Sequence, residues 1–124
     1  MTTALVVDDS RAIRTILSRM LRELGFEVIQ ASNGREALET VSRLDRPVGF
    51  ALVDWNMPEM TGLELIRELR TAPRFDQTPL MMVTTETEIE QMARALEAGA
   101  NEYVMKPFTR EAIEDKLRLL GVIQ

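Results

Sequence analysis

The chain has 124 residues, of which 45% are hydrophobic, and we expect one domain, residues 1–124, around a single packed core. It contains no cysteine and no histidine, which excludes disulfides, thiolate metal sites and histidine-based catalysis, so that any bound metal has to be a hard cation held by oxygen atoms. The net charge of -5 at pH 7 argues against nucleic acid as a partner. No segment has the length of a membrane span or the pattern of a leader peptide, and we therefore expect a cytoplasmic protein without membrane insertion.

Five short, mainly apolar runs predict five strands, and the run over residues 48–53, too short for a helix, has the pattern of a strand buried on both faces. They occupy residues 4–7, 26–31, 48–53, 80–83 and 103–105. A helical pattern of apolar residues follows each run, and Asn33-Gly34 predicts a turn before the second helix. Five strand-helix pairs in strict alternation predict an α/β fold, in which a doubly wound, five-stranded parallel sheet carries helices on both faces.

Capping signals predict where several helices begin. Thr61 with Glu64, and Thr87 with Glu90, have the spacing of capping boxes before the third and fourth helices. Spacing within the fourth helix also predicts which side chains are buried. The residues of this helix that we expect to face the core are Ile89, Met92, Ala93 and Leu96.

Polar side chains follow four of the predicted strands. Asp8 and Asp9 follow the first, Asp54 the third, Thr84 the fourth and Lys106 the fifth. If the strand order is 2-1-3-4-5, the three acids face each other where that order reverses. Close carboxylates repel unless a cation joins them, and Mg²⁺ suits such oxygen ligands. An aspartate can also accept a phosphoryl group without a general base. The simpler alternative is that the first two acids only cap the first helix.

Several motifs at these positions resemble those of CheY-like receiver domains, which belong to single-domain two-component response regulators. They are Val6-Val7-Asp8-Asp9, Asp54-Trp55-Asn56-Met57-Pro58, Met60-Thr61-Gly62, Val83-Thr84, Gly99-Ala100 and Lys106-Pro107-Phe108-Thr109. The resemblance covers the whole chain and implies a flavodoxin-like (βα)5 fold with the strand order 2-1-3-4-5. One departure is Thr61, where such domains commonly have aspartate, and it puts only the local loop geometry in question.

The resemblance implies an acceptor and a metal site. Asp54 would be the phospho-acceptor. Asp9, Asp54 and the main-chain carbonyl of Asn56 would be direct ligands of Mg²⁺, and Asp8 would bind it through water. The Asn56 side chain lies two residues beyond the acceptor, where it would help to orient the water that hydrolyses the phosphoryl group.

Further residues would bind the phosphate and carry the signal. The resemblance implies that Lys106 is the phosphate-binding cation and that its bond to Pro107 is a cis peptide. Thr84 and Tyr103 would form the switch pair. Glu86, two residues beyond Thr84, would share the water-orienting role.

These roles predict a phosphorylation-activated signalling switch that receives its phosphoryl group from a sensor histidine kinase of the CheA type. The switch would not be a stand-alone enzyme, although it would assist its own phosphotransfer and autodephosphorylation. Because the chain ends at Gln124 without room for an effector domain, we expect a monomer whose output is protein binding. The partner would be a flagellar switch protein in chemotaxis, or another target, at the face of the fourth helix, fifth strand and fifth helix, and a phosphatase would be a further partner.

Other functions remain open. A phosphate sink or a phosphorelay intermediate would use the same site. A small aspartyl-phosphate phosphatase is disfavoured, because position 56 is asparagine where a second acid would be needed. A flavodoxin-like electron carrier would need a loop rich in hydroxyls and glycine after the first strand, and Asp8 and Asp9 are found there instead.

Overall fold

The computed structural model describes residues 2–85 and 88–124, which form the predicted parallel sheet. Its strands are β1 Thr3–Val7, β2 Glu27–Ala31, β3 Phe50–Val53, β4 Leu80–Thr84 and β5 Glu102–Met105. They pair in the order β2-β1-β3-β4-β5, and every neighbouring pair is parallel. This order confirms the doubly wound topology, and the reversal falls between β1 and β3.

Within residues 2–85 and 88–124, five α-helices cover the sheet, three on one face and two on the other. They are α1 Arg11–Glu23, α2 Gly34–Ser42, α3 Gly62–Thr71, α4 Ile89–Ala98 and α5 Arg110–Leu119. Helices α1 and α5 pack on the face that carries Val6 and Leu52, whereas α2, α3 and α4 pack on the face that carries Val7 and Val53. Side chains of a strand point alternately to its two faces, so a sheet covered on both sides requires the continuous apolar runs seen in the sequence. No helix within the described residues is both long enough and apolar enough to cross a membrane.

Side-chain caps begin the helices that follow the site loops. The Ser10 hydroxyl accepts a hydrogen bond from the Ile13 N–H at the start of α1. At the start of α3, the Thr61 hydroxyl accepts from the Glu64 N–H while the Glu64 carboxylate accepts from the Thr61 N–H. The capping box is thus confirmed with threonine in place of the more common aspartate. The second predicted box involves Thr87, which lies outside the described residues.

Some predicted boundaries were wrong by one or two residues. Asn33 is the N-cap of α2, where its side chain accepts from the Glu36 N–H, and it is not part of a separate turn. Strand β3 begins at Phe50, two residues later than predicted, and β4 extends by one residue to include Thr84. The hydroxyl of Thr84 is therefore fixed by the sheet itself.

The predicted inward face of α4 was confirmed for Met92 and was wrong for Ile89, Ala93 and Leu96. Ala95 is fully buried, and Met92 and Ala98 pack against the core beside it. Ile89 is 83% exposed, Leu96 is 52% exposed, and Ala93 also lies on the surface. The helix has apolar residues around most of its circumference, so that spacing alone did not distinguish the face that packs through small side chains.

Candidate phosphorylation and metal site

Lys106 joins the acids that follow two neighbouring strands. Its Nζ lies 2.7 Å from Oδ2 of Asp8 and 3.4 Å from Oδ2 of Asp54. Both acids are buried, at 1% and 6% exposure, and the lysine is largely covered. Since β1 and β3 are adjacent and end at the same edge, the sheet order brings these side chains together. Buried carboxylates need such a counter-charge, because desolvation disfavours their ionised form.

Asp9 completes a cluster of three carboxylates. One oxygen from each of Asp8, Asp9 and Asp54 lies within 4.8 Å of the others. Asp9 is exposed, whereas the other two are buried, so the cluster opens to solvent on one side. A set of carboxylate oxygens without nitrogen or sulfur ligands fits a hard divalent cation such as Mg²⁺. The described residues thus bring together the three predicted carboxylates, and the Asn56 carbonyl stays a prediction.

Neighbouring donors hold the Asp54 carboxylate. Its Oδ1 accepts a hydrogen bond from the Trp55 N–H at 2.8 Å, and the Thr84 hydroxyl donates to the same carboxylate. Burial, with the neighbouring charge of Asp8, raises the pKa of Asp54 above its ordinary value. The charge of Lys106 and these two hydrogen bonds oppose that increase in pKa. Burial is therefore the leading cause of the raised pKa of Asp54, ahead of repulsion by the Asp8 carboxylate.

The other end of the same carboxylate cluster is also fixed. Oδ1 of Asp8 accepts from the Ser10 N–H at 2.8 Å, and the main-chain carbonyl of Asp8 accepts from the Arg14 guanidinium at 2.7 Å. The simpler prediction, that Asp8 only caps the first helix, therefore accounts for its bond with Ser10 but not for its ion pair with Lys106. Asp8 lies at the start of α1 and also faces Lys106.

Gly62 allows the loop after β3 to fold back beneath Asp54. Its N–H donates to the Trp55 carbonyl at 2.8 Å, and a Cβ at this position would lie 2.0 Å from the Asp54 carbonyl oxygen. Within the same loop, Glu59 has a positive φ of 67°. A side chain at position 62 would collide with main-chain atoms, which explains why glycine begins α3.

Thr84 and Tyr103 lie on the same face of the sheet. The β4–β5 register pairs Thr84 with Met105 and Met82 with Tyr103, so the threonine and the tyrosine project to the same side, two positions apart. Both side chains are buried. The Lys106-Pro107 bond is cis, as the resemblance implied. Asn56 is exposed in the loop after Asp54, and Glu86 lies outside the described residues.

Two contacts near Asp54 were missed by the sequence analysis. Arg14, which was given no role there, binds the Asp8 carbonyl. The guanidinium carbon of Arg94 lies over the Trp55 indole, 5.9 Å from the ring centre. For the first contact, the only signal in the sequence was an arginine one turn beyond Ser10. The second contact left no signal, because Trp55 and Arg94 are far apart in the chain.

Comparison with known proteins agrees with this geometry. The response regulator receiver domain family matches residues 4–118. The chain belongs to this family. It is 42% identical to the chemotaxis protein CheY1 of Helicobacter pylori over 117 residues, which cover 94% of each protein. The structure of Vibrio cholerae CheY4 superposes with a TM-score of 0.89 at 36% identity, covering 97% of this chain and 98% of that one.

A third relative was solved with ligands. The response regulator TrrA of Thermotoga maritima, in complex with Mg²⁺-BeF, superposes with a TM-score of 0.84 at 31% identity, covering 97% of this receiver domain and 99% of TrrA. This receiver domain is therefore a phosphorylation-activated switch and a signalling protein, not an enzyme of metabolism. Domains of this family interact with histidine kinases and with downstream targets.

Proposed function

We propose that Asp54 is the phospho-acceptor of this receiver domain. The observation that carries the proposal is the position of Lys106, whose Nζ lies between the Asp8 and Asp54 carboxylates at the edge where β1 and β3 end. Phosphoryl transfer depends mainly on positioning and on neutralising charge, so a fixed cation beside a carboxylate supplies much of what the reaction needs. Asp8 also contacts Lys106, but it is a poorer candidate for the acceptor because it is only 1% exposed and its carboxylate already binds the Ser10 N–H at the start of α1.

In the proposed reaction an Asp54 oxygen attacks the phosphorus of a phosphohistidine on a sensor histidine kinase. The new bond joins that oxygen to phosphorus while the phosphorus–nitrogen bond breaks, and the leaving imidazole takes a proton. Lys106 and the Thr84 hydroxyl, which both contact the Asp54 carboxylate, would donate to phosphoryl oxygens. A general base is not required, because the acceptor is already a carboxylate.

Mg²⁺ is the metal that the carboxylate cluster fits best. Asp8, Asp9 and Asp54 would hold it with the main-chain carbonyl of Asn56. When bound, the ion supplies positive charge that offsets the repulsion between the acids and the incoming phosphoryl group. The complex of TrrA with Mg²⁺-BeF, a protein of the same family, supports this assignment.

We further infer that Thr84 and Tyr103 couple the site to the surface formed by α4, β5 and α5. Both lie on the sheet face beneath α4, and Ile89, Leu96 and Met105 expose apolar area on the same surface. A flagellar switch protein, a kinase of the CheA type and a phosphatase are the partners that we propose, since relatives over nearly the full chain are chemotaxis proteins. Asn56 and Glu86 would orient the water that removes the phosphoryl group.

The decisive experiment is intact-mass analysis after incubation with acetyl phosphate and Mg²⁺. We expect the wild-type chain to gain one base-labile phosphoryl group and Asp54→Asn to gain none. Asp9→Asn, at the exposed edge of the same cluster, should lose the Mg²⁺ dependence. Labelling of Asp54→Asn at the wild-type rate would assign the acceptor elsewhere. A pull-down of flagellar switch protein with and without phosphorylation then distinguishes a chemotaxis output from a phosphate sink.

A further inference from the structure

Arg94 connects α4 to the residue that follows the proposed acceptor. Its guanidinium carbon lies 5.9 Å from the centre of the Trp55 ring, within the range of a cation–π contact. Among the described residues no carboxylate lies within ion-pair distance of Arg94. Of the described residues, the Trp55 indole contacts the guanidinium and orients it.

Trp55 is attached to the acceptor through its backbone. Its N–H donates to Oδ1 of Asp54 at 2.8 Å, and its carbonyl accepts from the Gly62 N–H at 2.8 Å. The indole is buried and belongs to the apolar cluster that includes Ala95. One residue therefore contacts the reacting carboxylate with its main chain and α4 with its ring.

Helix α4 has few other attachments to the core. Ala95 is its one fully buried residue among those described, Met92 and Ala98 pack partly against the core, and Ile89 and Leu96 are exposed. Elements with little buried apolar area open at low free-energy cost, so a single additional contact changes their stability measurably. The stack of Arg94 on Trp55 is such a contact.

We propose that Arg94 is a positioning residue of the switch, holding α4 against Trp55 so that a change at Asp54 is passed to the helix. The inference rests on the proposed role of Asp54 as acceptor. Joining a phosphoryl group to the carboxylate alters the oxygen that accepts from the Trp55 N–H, and the ring moves with its own backbone. Arg94 then transmits this displacement to α4, which carries the exposed apolar side chains of the proposed partner surface.

The stack is tested first without phosphate, by hydrogen exchange of the α4 amides in a double-mutant cycle. Arg94→Ala and Trp55→Leu should each speed exchange about two- to fivefold, the change that loss of an exposed cation–π contact allows, and the double variant should add little. Arg94→Lys should restore part of the protection. Arg67→Ala, an exposed arginine on α3, is the matched control and should leave α4 unchanged. Unchanged exchange in Arg94→Ala, or additive effects in the double variant, would overturn the proposal.

Fluorescence of Trp55, the only tryptophan, gives a second measurement that does not depend on the folding of Trp55→Leu. Arg94→Ala should make the indole more accessible to acrylamide, and Arg94→Lys should reverse part of this change. An indole equally accessible in all three proteins would contradict the stack.

The coupling between phosphorylation of Asp54 and the exchange of α4 amides is tested with acetyl phosphate and Mg²⁺ on the same variants. We expect Arg94→Ala to gain phosphoryl groups on Asp54 to the wild-type extent, while the change in α4 exchange on phosphorylation falls about twofold or more. A full α4 response in Arg94→Ala would refute the positioning role. If the wild-type chain gains no phosphoryl group, the proposed function fails, and the phosphate-free cycle still reports on the stack itself.

Discussion

The main-chain carbonyl oxygen of Asp54 lies directly against the Cα of Gly62, at the position where any other residue would place its side chain. The loop between β3 and α3 therefore closes on its own first residue. Asp54 therefore packs against main-chain atoms of this loop, which cannot shift as easily as a flexible side chain.

Gly62→Ala should consequently destabilise the fold and displace the acceptor. We expect a loss of about 2 to 3 kcal/mol in the free energy of unfolding, since the new Cβ meets backbone at 2.0 Å. Gly34→Ala is the comparison, because Gly34 also follows an N-cap residue but the nearest atoms to its Cβ would be side-chain atoms of Met60, at 2.8 to 3.0 Å, instead of main chain. Its loss of stability should be smaller than that of Gly62→Ala, because a side chain can shift more easily than the backbone. Urea unfolding measures both variants, and equal losses would show that the close approach is unimportant.

Asp54→Asn should stabilise the metal-free protein at neutral pH. A carboxyl whose pKa is raised by folding lowers stability above that pKa and has little effect below its unfolded value, near ~3.9. The gain in the variant should thus appear as pH rises through the titration of Asp54 and vanish in acid. Urea unfolding from pH 3 to 8 with a chelator tests this sign. A variant less stable than wild type at pH 8 would mean that the pairing with Lys106 outweighs burial.

Lys106→Met should have the opposite effect on stability. Removing the lysine leaves the Asp8 and Asp54 carboxylates buried without a counter-charge, and breaking such a pair costs about 3 kcal/mol. Because the lysine lowers the pKa of Asp54, its removal should raise that pKa further. Added Mg²⁺ should recover more stability in the variant than in wild type, measured by thermal unfolding. Lys116→Met, whose lysine pairs with Glu102 at the surface, is the control and should change stability by less than about 1 kcal/mol.

Thr84→Ala should separate phosphorylation from output. The variant loses one hydrogen bond to Asp54 but keeps Lys106, so acetyl phosphate should still label it. Partner binding should gain little on labelling, because the hydroxyl that the phosphoryl group would attract is missing. Thr84→Ser, which keeps the hydroxyl, should retain most of the response. Binding of a labelled and an unlabelled sample is compared by calorimetry, and a full response in Thr84→Ala would exclude the hydroxyl as the link.

Much of the site was predictable once the resemblance supplied the strand order. The carboxyl ends of parallel strands share one edge of the sheet, and the order β2-β1-β3-β4-β5 brings Asp8 and Asp54 side by side with Lys106 at the same edge. The caps at Ser10 and Thr61 were likewise predictable, since they depend on neighbours within three residues.

The remainder depends on contacts that the chain pattern does not encode. Asn33-Gly34 suits both a turn and a helix start, and only the packing of α2 decides between them. In α4, Ala95 is buried in place of Leu96 because a small side chain lets the helix lie close to the core. The contact between Arg94 and Trp55 depends on this packing of α4, so it could not be predicted from the sequence before the packing was known.

Arg70 provides a further contact of this kind. Its guanidinium donates to the Gly99 carbonyl at the end of α4, to the Phe75 carbonyl and to the Asn101 side chain. Arg70→Ala should therefore lower the free energy of unfolding by about 2 to 3 kcal/mol, the scale of charge-assisted hydrogen bonds. Arg67→Ala, one turn earlier and exposed, should change it by less than about 0.5 kcal/mol. Equal stability of the two variants in urea would show that the bridge contributes nothing.

Arg70 holds the carboxyl end of α4. This end is tied down at Gly99, while at the amino end the N-cap, Glu88, makes no side-chain capping bond within the described residues. A ten-residue helix is about 15 Å long, so a tilt of about 10° around the tied end would carry the other end through about 2.6 Å. If α4 tilts about Gly99, a small shift of the helix beside Asp54 therefore becomes largest at its amino end, at Ile89.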